Sequence, residues 1–168
     1  MKFEKRSFKF ELRESEDKAL FGYALKFGDV TDKTIYGREK FSQDLKMEIN
    51  EPCYLLRDHS PQRVIGRVGQ GLKVQKDSEG IFFSLDKFPE TELGKETRTL
   101  IKDKILSGVS VGFQLLKSHA EGARESVTRV IDEIRLMELS IVTYPAYESS
   151  SVSARSEDQV KLYPPECY

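Results

Sequence analysis

Ser107-Gly108-Val109-Ser110-Val111-Gly112-Phe113-Gln114-Leu115-Leu116 is the stretch on which the fold turns. From Gly108 to Gly112 its letters match the G-x-S-x-G pattern of a nucleophile elbow, which needs a strand before the serine and a helix after it. Here the order is reversed. Upstream, Leu93, Thr97, Leu100, Ile101 and Ile105 fall on one face of a helix, with Lys95, Glu96, Arg98, Lys102 and Asp103 on the other. Downstream, β-branched and aromatic residues interrupted by small ones suit a strand that another backbone approaches closely. An α/β-hydrolase is therefore disfavoured. Ser110 is expected on a strand, with its hydroxyl on the face opposite Val109 and Val111. Either it serves a substrate backbone there, or it simply bonds a neighbouring carbonyl.

Working outward, Val127 to Val142 is apolar on both parities and reads as an inner strand, interrupted near Asp132-Glu133. Toward the N-terminus, Phe8, Phe10 and Leu12 share one parity and Phe21, Tyr23, Leu25 and Phe27 another, the period-two signature of strands with one buried face. Glu39 to Ile49 reads as a short helix. Cys53-Tyr54-Leu55-Leu56 then forms an apolar run that ends in a turn at Arg57-Asp58-His59-Ser60-Pro61. A hairpin follows from Val64 to Leu85, turning at Asp77-Ser78-Glu79-Gly80. The sum is a mainly β (α+β) chain with one or two helices, expected as a closed or nearly closed barrel. The domain edge is placed at residue 155, leaving 156–168 as a Ser- and Pro-containing flexible C-terminal tail.

The chain of 168 residues suits one domain, and its 27 basic and 28 acidic residues nearly cancel. No Lys/Arg block stands apart from acidic neighbours, so nucleic acid is not an expected ligand. Two cysteines, Cys53 and Cys167, do not make a disulfide framework and fit a reducing cytosol. No secretion signal is seen, and no apolar run approaches the roughly 20 residues of a membrane-spanning helix. A soluble protein without membrane partner, metal or cofactor is expected.

Two further residues are candidates for chemistry. Glu138 interrupts Leu136-Met137-Glu138-Leu139-Ser140-Ile141-Val142, where an ionised carboxylate needs a partner unless the strand is an edge facing solvent. His59 ends a strand at a turn, a place from which rigid elements present functional side chains and where solvated histidines are also common. His119, beside the Glu121-Gly122 turn, reads as a surface residue.

Together these segments resemble the prohead maturation proteases of tailed phages, a family related to the herpesvirus capsid protease assemblin. The resemblance rests on Gly22-Tyr23-Ala24 with Phe27, on Leu56-Arg57-Asp58-His59 followed by Val64-Ile65-Gly66, on Gly108 to Phe113, and on Glu138 to Ala146, in that order. It implies an assemblin-like β-barrel with one or two flanking helices. It implies a serine endopeptidase in which Ser110 is the nucleophile, His59 the general base and Glu138 the group that orients the imidazole. The implied substrates are scaffold and major capsid protein precursors, and the enzyme itself, cut inside the immature capsid in the bacterial host cytoplasm. Homo-oligomers are compatible with it. The oxyanion hole stays open among backbone amides, Arg63, Arg67 and Arg129. Rival readings are a Cys53–His59 cysteine protease, a metal hydrolase and a non-catalytic capsid-assembly or scaffold-binding barrel.

Overall fold

The computed structural model describes residues 3–9, 19–34, 37–123 and 126–143. Within them the period-two patterning becomes strands β1 (Phe3–Lys9), β2 (Leu20–Lys26), β3 (Thr31–Thr34), β4 (Gly37–Arg57), β5 (Ser60–Val68), β6 (Gly71–Lys76) and β7 (Gly80–Leu85). Helix α1 (Glu92–Lys102) follows, then β8 (Gly108–Glu121) and β9 (Thr128–Val142). The strands form one sheet in the order β1-β8-β9-β4-β5-β6-β7-β2, with β3 paired to β4. The sheet curls into a half-barrel. Among the described residues β1 and β2, the ends of the path, are not hydrogen-bonded to each other, so of the expected closed or nearly closed barrel the structure shows the curled half. The tail expected at 156–168, like Phe10 and Leu12, lies outside the described residues.

The concave packing comes from alternating side chains: Leu55, Phe83, Val109, Val111, Phe113, Leu139 and Ile141 are all fully buried. β9 is inner, antiparallel to β8 and parallel to β4. Its interruption is a register shift near Asp132-Glu133 rather than a break.

The helix expected over Glu39–Ile49 is instead part of β4. Phe41 and Leu45 are buried at helix-like spacing, but the chain bulges between them and Lys46, where β9 advances only from Ile131 to Glu133. Parallel pairing with β9 supplies the backbone partners that override local pattern. A bulge at Ala24, between Tyr23 and Leu25, likewise switches the buried face of β2: Leu20 precedes it and Leu25 follows it in the core, while Phe21 and Tyr23 are only half-buried.

α1 is the one helix among the described residues. Thr91 caps it by accepting from the Gly94 N–H at 3.1 Å. It ends with Lys104 in the left-handed region at φ 57°, with Lys104 N–H bonding Ile101 O and Ile105 N–H bonding Leu100 O. Ile105 thus falls beyond the helix and is 62 % exposed, against the expected buried position.

Candidate active site

The β4–β5 connection is a two-residue hairpin loop, because Arg57 pairs with Ser60 and leaves Asp58 and His59 at its corner. Both have positive φ, 51° and 58°, as a primed turn demands. Aspartate and histidine tolerate this region better than most residues. The turn is fixed to the end of β9: Asp58 N–H donates to Ile141 O at 2.9 Å, Thr143 N–H donates to Asp58 Oδ1 at 2.9 Å, and His59 N–H donates to Ser140 Oγ at 3.2 Å. Asp58 is thereby committed to Thr143 and leaves His59 to another acid.

That acid is Glu138, whose Oε1 lies 2.5 Å from His59 Nδ1. Its other oxygen accepts from Ser140 Oγ at 2.6 Å, and Ser140 in turn receives the His59 N–H. The three residues therefore form a closed ring of hydrogen bonds around a carboxylate that is only 8 % exposed. Burial alone raises the Glu138 pKa, but the bonds from His59 and Ser140 and the nearby charges of His59 and Lys5 outweigh it and hold the carboxyl below its ordinary value. An acceptor-only carboxylate takes a hydrogen bond from the proton on His59 Nδ1, so that in the neutral ring Nε2 is the proton acceptor.

Glu138 reaches this position by lying across β8 at Gly112. A β-carbon at 112 would sit 2.6 Å from Glu138 Oε1 and 2.7 Å from its Cγ. Glycine is required there for space.

Ser110 shares this face. It is the cross-strand partner of Ser140, and its neighbour by two, Gly112, is the partner of Glu138. Its hydroxyl donates to Arg6 O of β1 at 3.3 Å, the neighbouring-carbonyl bond that the sequence allowed, and the residue is fully buried. Among the described residues no hydrogen bond joins Ser110 to His59. The structure thus brings His59 and Glu138 together and sets Ser110 beside their Ser140 support, covered by β1.

A family model described as caudovirus prohead serine protease matches residues 7–163. The chain belongs to that family. No curated protein and no solved structure matches it. A prohead serine protease is a phage capsid maturation enzyme whose substrates are capsid or scaffold proteins, working in the immature capsid within the host. Among the described residues no helix is long and apolar enough to cross a membrane.

In this prohead protease Arg129, an oxyanion candidate on sequence, is committed elsewhere. It bonds Glu4 and Glu39 at 3.0 Å each, in a cluster completed by Arg6, whose fork contacts Glu39 at 2.5 and 2.9 Å. That cluster lies on the opposite face, with Arg6 over the Phe113 ring. Arg63 reaches toward Asp58 Oδ2 at 3.5 Å, and Arg67 is exposed.

The Cys53 thiol is 1 % exposed and pushed up to about 12, by burial first and by the Glu138 charge second, which disarms it as a nucleophile. Among the described residues no cluster of three or more His, Cys, Asp or Glu side chains is arranged to hold a metal. His119 is largely exposed and bonds Asp132 at 2.7 Å.

Sequence reasoning missed Ser140 as a clamp, although its spacing of two from Glu138 on a strand put both on one face.

Proposed function

We propose that this prohead protease is a serine endopeptidase acting through Ser110, His59 and Glu138, and that it cleaves scaffold and major capsid protein precursors, and itself, as the procapsid matures. The observation that carries this reading is the 2.5 Å contact between His59 Nδ1 and Glu138 Oε1 on the face that holds Ser110.

Each residue has a chemical duty. As the Ser110 oxygen bonds to the scissile carbonyl carbon, its proton passes to His59 Nε2. The resulting imidazolium is stabilised by Glu138, and the carbonyl π electrons move onto oxygen. Collapse breaks the C–N bond while His59 gives its proton to the leaving amine. Water, losing a proton to the same nitrogen, then attacks the acyl-enzyme ester and releases Ser110. Ser140 holds the carboxylate at its second oxygen, so the histidine tautomer is set before substrate arrives. For the first step the Ser110 hydroxyl turns from Arg6 O toward His59.

The half-barrel is read as the assemblin type, with residues 1–155 as the catalytic domain and 156–168 as a flexible tail. Self-cleavage in the Ser-rich segment after residue 148 is part of the same reading, and assembly into a homo-oligomer is compatible with it.

Co-expression with the matching capsid protein precursor tests the assignment. Ser110→Ala and His59→Ala are expected to slow cleavage by about a millionfold, and Glu138→Gln by about 10⁴, with unchanged folding. Full cleavage by folded Ser110→Ala would refute it.

A further inference from the structure

Ser110 is completely buried although the reading above requires a polypeptide to reach it, and β1 lies against it, the Arg6 carbonyl accepting from its hydroxyl. This strand ends the sheet path and pairs with β8 from Phe3↔Gln114 to Lys9↔Gly108, with Ser7 opposite Ser110. Its backbone therefore lies along the nucleophile strand, and the Arg6 carbonyl oxygen sits on the Ser110 hydroxyl. Phe3 leans over Gly112, its ring Cζ 2.7 Å from where a β-carbon would be. An extended substrate would need this same edge, because strand addition is the way a sheet edge binds a polypeptide.

The hold on β1 is of an exchangeable kind. Among the described side chains the hydrophobic core cluster takes none from Phe3 to Ser7 and begins at Leu20. The buried β1 side chains among those described are Glu4, Arg6 and Ser7, and Phe3 is 44 % exposed. Among the described side chains Arg6 and Glu4 attach β1 through polar contacts to Glu39 and Arg129, and Arg6 lies over the Phe113 ring. When β1 leaves, Glu39 keeps Arg129 at 3.0 Å, so no lone buried charge remains. Backbone bonds and a few polar contacts are what another extended segment also supplies.

We propose that β1 is a resident strand occupying the substrate's place on the β8 edge, and that substrates bind as extended segments antiparallel to β8 after β1 lifts away. This rests on Ser110 being the nucleophile. The enzyme is then silent by default, and its rate follows the fraction of molecules with β1 displaced.

Two variants move that fraction in opposite directions. Phe3 and Gln114 are cross-strand partners, and such Cα pairs, about 4.5–5.5 Å apart, fall in the disulfide range. Phe3→Cys/Gln114→Cys locks β1 when oxidised. Arg6→Ala removes its charged anchor. The readout is the rate at which a fluorophosphonate labels Ser110 in the full chain, with Ser110→Ala as blank and melting curves to check folding.

Oxidation is expected to suppress labelling, reduction to restore it, and Arg6→Ala to raise the rate roughly tenfold. Equal labelling of oxidised and reduced forms overturns the proposal while leaving the nucleophile in place. Suppression by the lock without acceleration by Arg6→Ala makes β1 merely structural and also overturns it. A folded Arg6→Ala chain whose Ser110 never labels overturns the nucleophile assignment itself.

Discussion

A methyl group at position 112 is a local test of whether Glu138 positions His59. Alanine there would place its β-carbon 2.6–2.7 Å from Glu138 Oε1 and Cγ, whereas carbon contacts are comfortable near 3.5–4.0 Å. Glu138 must retreat by roughly 1 Å, and it cannot do so while holding both the 2.5 Å contact to His59 and the 2.6 Å bond from Ser140. A misplacement of about 1 Å costs on the order of 10²-fold, or about 2.7 kcal/mol of transition-state stabilisation. The methyl would also press on Phe3, so Gly112→Ala is read in a Phe3→Ala background that removes this contact. The assay is kcat/KM for cleavage of a capsid-precursor segment, with the His59 Nδ1 proton resonance as a structural check. Gly66→Ala is the control: its β-carbon meets the flexible Leu85 Cδ1 at 2.9 Å inside the core, which costs stability but not rate. A folded Gly112→Ala enzyme with unchanged rate and unmoved resonance would refute the reasoning, as would an equal loss in Gly66→Ala.

Three further outcomes are expected. Glu138 and Glu4 are both held below the ordinary 4.5, because burial raises each but hydrogen bonds and charges, from His59 and Ser140 at Glu138 and from Arg129 and Arg6 at Glu4, outweigh it. Such groups stabilise fully above pH 4.5 and lose that contribution as pH falls below it through their depressed values. Glu138→Gln and Glu4→Gln should each flatten the acid limb of a melting-temperature profile, and an unaltered limb in both would contradict this. Lys104→Gly should stabilise the fold by roughly 0.5–1 kcal/mol, seen as a Tm rise of a few degrees, because Lys104 terminates α1 at φ 57° where a side chain is strained. Cys53 should resist iodoacetamide at pH 8 until the protein unfolds, with no loss of cleavage, and rapid alkylation that abolishes activity would restore a cysteine mechanism.

Legibility followed the reach of the interactions. α1 was readable because its period is local. β8 and β9 were readable because β-branched runs with small interruptions admit little else. Residues 39–49 misled because Phe41 and Leu45 sit at helical spacing, and only a parallel neighbour some 90 residues away in register makes them a bulged strand. The acid at Glu138 was visible as an anomaly among apolar residues, and His59 as a histidine at a turn. Their contact depends on a primed turn and on a bulge-shifted register that no local pattern encodes. Ser140 looked like filler because a serine declares its role only when its two partners are known. The covering of Ser110 by β1 was invisible for the same reason, since alternating charge in the first residues says nothing about which edge they pair with.

The position of β9 in the sheet has a consequence for biosynthesis. It is the last described strand to leave the ribosome, yet it sits between β8 and β4 and carries the acid that contacts His59. Until it is inserted, β4 and β8 have no bridge, and the histidine turn has nothing to rest upon. A nascent chain halted before Thr128 therefore holds a serine and a histidine in unrelated pieces. The contact between His59 and Glu138 thus waits on the emergence of β9, by the order in which the polypeptide is threaded.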